Sequence, residues 1–254
     1  MTHHMHRMAL TAKHTLQQLT DAVWPGRSLV SGLPARGALS PEDFAALKFI
    51  TGAICSTCGQ PLELDLGPDG QCGACTARPP LWNRARAALE YDDMSRIPIL
   101  ALKRAGRRDG LKVMANWMVN AGAHLIDASD LIIPVPLHYK RLVSRGYNQA
   151  GWLADAVGKQ AGKPVAHTAL TRTRATPSQA NLSARARHRN VAGAFKVAAR
   201  KTGKIKGKNV LLIDDVLTTG ATLKAATKAL KQAGAAQINV IVLARVVRAT
   251  DISF

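Results

Sequence analysis

The sequence has few aromatic residues and no long apolar segment. Aromatic residues make up 4% of its 254 residues, and no stretch approaches the ~18 consecutive apolar residues of a membrane-spanning helix. Residues 1–19 are polar and rich in histidine, without the apolar segment of a secretory signal. We therefore expect a cytoplasmic protein without a membrane span, long enough for one core and a small accessory module.

Acidic residues are also scarce, with 16 against 35 basic residues and a formal net charge of +19. Such an excess attracts polyanions: phosphorylated small molecules, nucleic acid or an anionic membrane surface. A drift of composition toward arginine and alanine would give the same charge without any such partner. The charge indicates a class of partner and says nothing about the fold.

Cysteine occurs only four times, as two C-x2-C pairs in the pattern C-x2-C-x13-C-x2-C: Cys55, Cys58, Cys72 and Cys75. In a reducing compartment this spacing favours a metal over disulfides, and four thiolates suit one tetrahedral, structural Zn²⁺. A redox C-x2-C of thioredoxin type would need only one pair beside a βαβ unit. The metal would fix a short segment that cannot build its own core.

The chain falls into three predicted parts. Residues 1–52 are a tail and a Pro- and Gly-rich stretch, residues 53–80 contain all the cysteines, and Pro79 and Pro80 close that part. In residues 81–254, apolar runs such as NVLLIDDV and INVIVLARVV alternate with helical stretches, among them residues 94–104 and 110–126. This alternation predicts an α/β fold with helices on both faces of a parallel sheet.

The segment Val210–Thr222, VLLIDDVLTTGAT, joins a buried strand to a polar turn that opens a helix. Asp214 and Asp215 stand at the carboxyl end of the strand, where open α/β sheets bind ligands. The N–H groups of the helix start and the tight turn at Gly220 suit a phosphate group. Further donors are the hydroxyls of Thr218, Thr219 and Thr222. Because carboxylates repel phosphate, we expect the aspartates to accept hydrogen bonds from sugar hydroxyls, directly or around Mg²⁺.

A simpler interpretation is that one threonine caps the helix and that both aspartates are surface charges. It does not account for paired acids, three hydroxyls and a glycine within one short segment. The spacing is neither a Walker A loop nor a G-x-G-x-x-G fingerprint. It resembles the PRPP (phosphoribosyl pyrophosphate) signature of type I phosphoribosyltransferases. That resemblance implies that Asp214 and Asp215 bind the ribose 2′ and 3′ hydroxyls, and that Thr218, Thr219, Gly220, Ala221 and Thr222 bind the 5′-phosphate.

Two basic segments precede this turn. Residues 134–150 form a predicted loop after a strand, and three of its side chains could meet a pyrophosphate: Lys140, Arg141 and Arg145. Residues 171–190 carry a second set: Arg172, Arg174, Arg185, Arg187, His188 and Arg189. Such a segment is typical of a flap that closes over a diphosphate. Scattered charges on a solvated helix are the alternative.

Several segments together resemble the ComF family, whose members couple a zinc-ribbon segment to a phosphoribosyltransferase-like domain. The resemblance covers roughly residues 53–246, and its matching segments are Leu102–Gly106, Pro134–Leu137, Arg145–Gln149, Gln179, Leu182–Ser183, Arg189–Asn190, Ala194–Phe195 and Asp214–Thr222. It implies a type I phosphoribosyltransferase-like sheet, PRPP with Mg²⁺ as ligand, and a structural zinc. Family members are associated with uptake of transforming DNA by competent bacteria, and relatives with gluconate utilisation.

Many family members carry a second cysteine set nearer the N-terminus, and this sequence departs from that pattern. Four residues stand where those cysteines are expected: Ser28, Ser31, Ser40 and Asp43. We therefore expect a degenerate first ribbon and one zinc ion per chain.

Two functions remain open. The first is an enzyme that transfers phosphoribosyl from PRPP to an unknown acceptor, with the charge of pyrophosphate neutralised by Mg²⁺ and basic residues. No general base stands out for it. The second is a non-catalytic module that senses PRPP and binds single-stranded DNA or DNA-processing proteins, although aromatic stacking platforms are few. The sequence decides neither the acceptor nor the oligomeric state.

Overall fold

The structure is a computed structural model that describes residues 26–104, 108–174 and 191–247. They divide into two compact units, residues 26–47 and residues 48–247. The elements in chain order are α1 (Pro41–Ala45), α2 (Gly73–Ala77), β1 (Ala85–Glu90), α3 (Asp93–Arg104), α4 (Leu111–Asp127), β2 (Leu131–Pro134), α5 (Tyr139–Arg145), α6 (Gln149–Ala161), β3 (Leu170–Arg172), β4 (Phe195–Val197), a 3₁₀ helix (Ala199–Lys204), β5 (Asn209–Leu217), α7 (Ala221–Gln232) and β6 (Gln237–Arg245).

The second unit is built on a four-stranded sheet in the order β1-β6-β5-β2, in which every neighbouring pair is parallel. β5 and β6 lie in its centre, which explains why their sequences are almost continuously apolar and buried. The register pairs Ile213 of β5 with Pro134 of β2 and with Ile241 of β6. The polar residues that follow β5 and β2 therefore meet at one edge of the sheet.

Helices cover both faces of this sheet, as expected from the sequence. On one face, α7 packs with Leu223, Ala226 and Leu230 on a cluster that contains Val210 and Leu212 of β5. The antiparallel pair β3-β4 lies on the same side, against α7. On the other face, α4 packs against β1, β6 and α6. The α/β prediction is confirmed, and within the described ranges no helix has both the length and the apolar character of a membrane span.

The predicted loop of residues 134–150 differs from expectation, because it contains the helix α5. The Nδ1 atom of His138 accepts a hydrogen bond from the N–H of Lys140 at 3.2 Å and caps this helix. None of the α5 residues is buried, and the sequence YKRLVSR shows no apolar repeat from which a helix could be predicted. Ahead of β3, Val165 forms one isolated bridge with Ile132, and the strand itself begins only at Leu170.

Residues 26–47 and residues 53–78 have the same backbone design. In each, one N–H donates to the carbonyl five residues ahead, and a glycine N–H donates to the carbonyl four residues back. A third N–H donates to the carbonyl three positions before the first residue of a short helix. The bonds in the first segment are Ser28 N to Leu33 O (2.8 Å), Gly32 N to Ser28 O (3.0 Å) and Leu29 N to Ala38 O (2.8 Å). Their counterparts are Cys55 N to Gln60 O (2.7 Å), Gly59 N to Cys55 O (2.8 Å) and Ser56 N to Gly70 O (2.8 Å). Both segments end in a five-residue helix, α1 or α2.

The four residues predicted to replace cysteines in the first segment lie together. The hydroxyls of Ser28 and Ser31 both donate to Oδ2 of Asp43, the second at 2.6 Å, and the hydroxyl of Ser40 accepts from the N–H of Asp43 at 3.1 Å. These hydrogen bonds, that from Ser28 first, hold the pKa of the Asp43 carboxyl below its usual value. A carboxylate and three hydroxyls thus connect the two halves of the segment.

Candidate functional site

The turn between β5 and α7 has the geometry that its sequence predicts. β5 ends at Leu217, and Gly220 caps α7 in the left-handed region with φ of +73°. A Cβ atom at Gly220 would lie 2.8 Å from Cη2 of Trp82, so no other residue fits here without displacing the indole. The Oγ1 atom of Thr219 is buried and, among the described residues, has no hydrogen-bond partner. The turn and the start of α7 can therefore accept an anion.

Asp214 and Asp215 lie at the carboxyl end of β5, as expected. The N–H of Asp215 donates to Oδ1 of Asp214 at 2.9 Å. Burial, together with the charge of Asp215, raises the pKa of Asp214 to about 7. A pair of adjacent carboxyls that share a desolvated position can bind hydroxyl groups or a hard divalent cation.

Both carboxylate oxygens of Asp215 have partners from other elements. Lys103, at the end of α3, places its Nζ atom 3.0 Å from Oδ1. Gln149, the first residue of α6, donates from Nε2 to Oδ2 at 2.8 Å. The Oε1 atom of Gln149 in turn accepts from Nη1 of Arg145 at 2.7 Å. Two polar side chains therefore contact one buried aspartate, and Arg145 is connected to it through Gln149.

The basic residues proposed to bind a pyrophosphate differ in whether they reach the Asp215 cluster. Arg145 reaches the Asp215 cluster through Gln149, whereas Lys140 is an exposed residue of α5. Arg172, on β3, is buried beside the charges of Arg141 and Asp214, and its desolvation is the main cause of a lowered guanidinium pKa. Arg174 donates to the carbonyl of Ala192 at 2.7 Å. The remaining basic residues of the predicted flap, Arg185, Arg187, His188 and Arg189, lie outside the described residues.

The four cysteines form one cluster. Their sulfur atoms all lie within 4.8 Å of one another, and the Sγ atoms of Cys58 and Cys72 are 3.7 Å apart. Cys55, Cys72 and Cys75 are buried. Four soft donors at this separation fit a tetrahedral Zn²⁺, and they leave no open coordination position for chemistry.

Two buried arginines of the sheet bind the backbone of the cysteine segment. Arg245, at the end of β6, donates to the carbonyl of Cys58 and, at 2.7 Å, to Oε1 of Gln60. Arg86 of β1 donates to the carbonyl of Ser56 at 3.0 Å. Within the described ranges neither guanidinium forms an ion pair with a carboxylate. A Zn²⁺ held by four thiolates carries two negative charges, so the donor set also fits its charged surroundings.

A cavity of about 390 Å³ lies between the cysteine segment and the turn that precedes α7. Trp82 forms one wall, packing against Gly220 while its Nε1 donates to the carbonyl of Thr57 at 3.0 Å. The other polar side chains that line the cavity belong to basic residues, one glutamine, two threonines and three cysteines: Arg78, Lys224, Arg245, Gln60, Thr218, Thr219, Cys58, Cys72 and Cys75. The cavity thus joins the candidate metal centre to the candidate anion site.

The sequence assigned no site role to Lys103, Gln149 or Trp82. Lys103 and Gln149 lie in segments that resemble the ComF family, but neither segment indicates which side chain each of the two residues contacts. Trp82 follows two prolines and has no motif around it. Contacts between residues far apart in the chain identify all three.

The chain is similar to a known domain family and to curated proteins. Residues 130–251 match the model of the phosphoribosyl transferase domain. The DNA utilization protein YhgH of Escherichia coli O157:H7 is 32% identical over 197 residues, which cover 76% of this chain and 84% of that protein. Competence protein F of Haemophilus influenzae is 31% identical over 75% of this chain and 84% of its own length.

A solved structure, the orotate phosphoribosyltransferase of Aeropyrum pernix, is similar at 18% identity and a TM-score of 0.36, covering 61% of this chain and 66% of that chain. The two curated relatives each match about three quarters of this chain, at an identity and coverage that establish common descent. The chain therefore belongs to the ComF family of phosphoribosyltransferase-like proteins.

Proposed function

We propose that the chain binds PRPP with Mg²⁺ at the carboxyl end of β5 and acts in the uptake or utilisation of DNA in the cytoplasm. The observation that supports PRPP as the ligand is the pair Asp214 and Asp215 near the end of β5, just before the turn that opens α7. The DNA role rests on the names of the relatives, DNA utilization protein and competence protein. The net charge of +19 agrees with a polyanionic partner.

In this proposal each part of PRPP has its own binding group. Asp214 and Asp215 accept hydrogen bonds from the ribose hydroxyls, and residues 218–222 bind the 5′-phosphate with backbone N–H groups and hydroxyls. Arg145, with Lys140 and Arg141 on the same helix, faces the diphosphate. The same two carboxylates would hold Mg²⁺, which would neutralise charge on the diphosphate. The four cysteines would hold a structural Zn²⁺ that fixes the wall of the cavity.

Phosphoribosyl transfer to an acceptor is the finer proposal. It needs a nucleophile at C1 of the ribose while the bond to pyrophosphate breaks and the leaving group takes the electron pair. The chain would contribute positioning and charge rather than covalent chemistry. The cavity of about 390 Å³ beside the turn is the candidate place for an acceptor.

One observation favours the alternative of a PRPP-sensing module. The residues that line the described cavity include no carboxylate and no histidine, so no side chain there is suited to remove a proton from an acceptor at neutral pH. An enzyme with this site would require an acceptor that is already a good nucleophile. Sensing of PRPP, coupled to binding of DNA or of a DNA-processing protein, requires no such group.

Two assays separate these possibilities. Release of pyrophosphate from PRPP in the presence of base or amine acceptors would support the enzyme, and its absence with every acceptor would exclude it. Binding of single-stranded DNA, measured as a function of salt concentration, would test the module. If DNA binding survives Asp214→Asn and Asp215→Asn, the DNA surface is separate from the PRPP site.

A further inference from the structure

The ion pair between Lys103 and Asp215 is placed where the proposed ligand must bind. The two side chains are 24% and 8% exposed, so the pair is largely shielded from water, and its charges attract each other more strongly than those of a surface pair. Lys103 lies in the last turn of α3, 112 positions before Asp215 in the chain. The ammonium thus reaches into the site from an element that is not part of the phosphate turn.

Lys103 and Gln149 occupy the two oxygens of Asp215, but they are not equally able to leave. Gln149 is 6% exposed and is fixed by a second hydrogen bond, from Arg145. Lys103 is more exposed, and no second bond to its ammonium is recorded among the described residues. A lysine also carries its charge on a flexible stem with three rotatable donors. A ribose hydroxyl that donates to Asp215 would therefore displace Lys103 from Oδ1 rather than Gln149 from Oδ2.

The covalent structure of PRPP defines where a displaced ammonium would go. The 2′ hydroxyl stands on the carbon next to C1, and C1 carries the diphosphate. With the 2′ hydroxyl on Oδ1 of Asp215, an ammonium that moves away from this oxygen is within reach of the diphosphate oxygens. The exchange conserves charge pairing, because Lys103 leaves one anion for another while the hydroxyl replaces it at the carboxylate.

We propose that Lys103 is a ligand-binding residue which neutralises Asp215 in the empty site and transfers its ammonium to the diphosphate when PRPP binds. This inference rests on the proposed function. It gives the diphosphate a positively charged side chain from α3, in addition to the basic side chains of α5. It also gives the Leu102–Gly106 segment a function that the sequence alone does not provide.

Two ligands that differ only in the diphosphate test this role. Affinities for PRPP with Mg²⁺ and for ribose 5-phosphate are measured by calorimetry on wild type, Lys103→Met and Lys103→Gln. Lys159→Met, which changes an exposed lysine of α6, serves as the control. We expect both Lys103 variants to bind PRPP at least about tenfold more weakly, a loss of about 1.4 kcal/mol. Ribose 5-phosphate should bind them as well as wild type or more tightly, since Asp215 is already free to accept the hydroxyl.

The outcomes distinguish the two proposals. If wild type binds PRPP but the Lys103 variants lose both ligands equally, the lysine only supports the structure of the site, and this inference is wrong while the proposed function stands. Unchanged affinity for PRPP in folded variants, checked by thermal unfolding, overturns it as well. If wild type binds neither ligand, the proposed function itself fails. The second variant keeps the test valid where Lys103→Met does not fold.

Discussion

The indole ring of Trp82 packs directly on Gly220, and a single added carbon on the glycine would come within 2.8 Å of it. The same indole donates a hydrogen bond to Thr57 in the cysteine segment. One side chain therefore connects the candidate metal centre to the turn that we propose binds phosphate.

Gly220→Ala should damage the phosphate turn. The substitution places a Cβ in the left-handed region, at a cost of about 1–2 kcal/mol, and also against the indole. Gly162→Ala is the matched control, because Gly162 has φ of +64° with no atom within 4 Å of its Cβ position. We expect both variants to lose stability in urea unfolding, but only Gly220→Ala to lose affinity for PRPP. Equal affinities in the two variants would show that the contact with Trp82 has no effect on the turn.

Removal of the metal should weaken the binding of PRPP even though the metal does not touch the ligand. Zn²⁺ fixes the cysteine segment, and Trp82 and Arg245 connect that segment to the turn and to the end of β6. PRPP affinity is compared before and after treatment with a chelator, in wild type and in Trp82→Ala. We expect a loss in wild type and a smaller further loss in the variant, whose connection is already broken. An unchanged affinity of metal-free wild type would contradict the coupling.

Asp214 should make stability depend on pH. Its pKa is raised to about 7 in the folded chain and is 3.8 in an ordinary carboxyl, so between these values the folded state binds more protons than the unfolded state. The free energy of unfolding contributed by this group is therefore highest below about pH 4 and decreases as the pH rises toward about 7. We expect the stability of wild type relative to Asp214→Asn to fall between about pH 5 and about pH 8. This range includes the pKa of about 7 at which the folded chain loses the proton. A difference that does not change with pH would mean that Asp214 is ionised throughout.

The chain should bind one zinc ion, at Cys55, Cys58, Cys72 and Cys75. The first ribbon-like segment uses Asp43 and its serines at the equivalent positions, and these groups already satisfy one another by hydrogen bonds. Metal analysis of the purified protein should give one zinc per chain, and two would contradict the prediction.

The shared backbone design of the two segments permits a stronger test. Because the hydrogen bonds of residues 26–47 match those of residues 53–78, four thiols at the equivalent positions should create a second tetrahedral site. The combined variant Ser28→Cys, Ser31→Cys, Ser40→Cys and Asp43→Cys should bind two zinc ions. A variant that folds and still binds one would mean that the two segments do not share their ligand geometry.

The sequence predicts those parts of the site that depend on neighbouring residues. The apolar run before Asp214, the threonines and Gly220 together specify a strand, a turn and a helix start, and the structure has each of them. The spacing of the cysteines likewise predicts their cluster. In both cases a short segment carries its own geometry.

Contacts between distant segments could not be predicted in this way. Lys103 lies 3.0 Å from Asp215 although the two residues are far apart in the chain, and one lysine at the end of a predicted helix looks like any other. The helix α5 buries no residue, so nothing in its composition distinguishes it from a loop. Lys140 and Arg145 therefore looked equivalent in the sequence, although only Arg145 reaches the aspartate cluster.

Calorimetric titration of PRPP in the presence of Mg²⁺, on wild type and on Asp215→Asn, tests the central claim most directly. We expect wild type to bind, and the variant, which loses the charge that accepts a ribose hydroxyl, to bind at least about tenfold more weakly. Thermal unfolding of the variant verifies that it is folded. Absence of binding by wild type, or equal binding by the folded variant, would contradict the assignment of this site to PRPP.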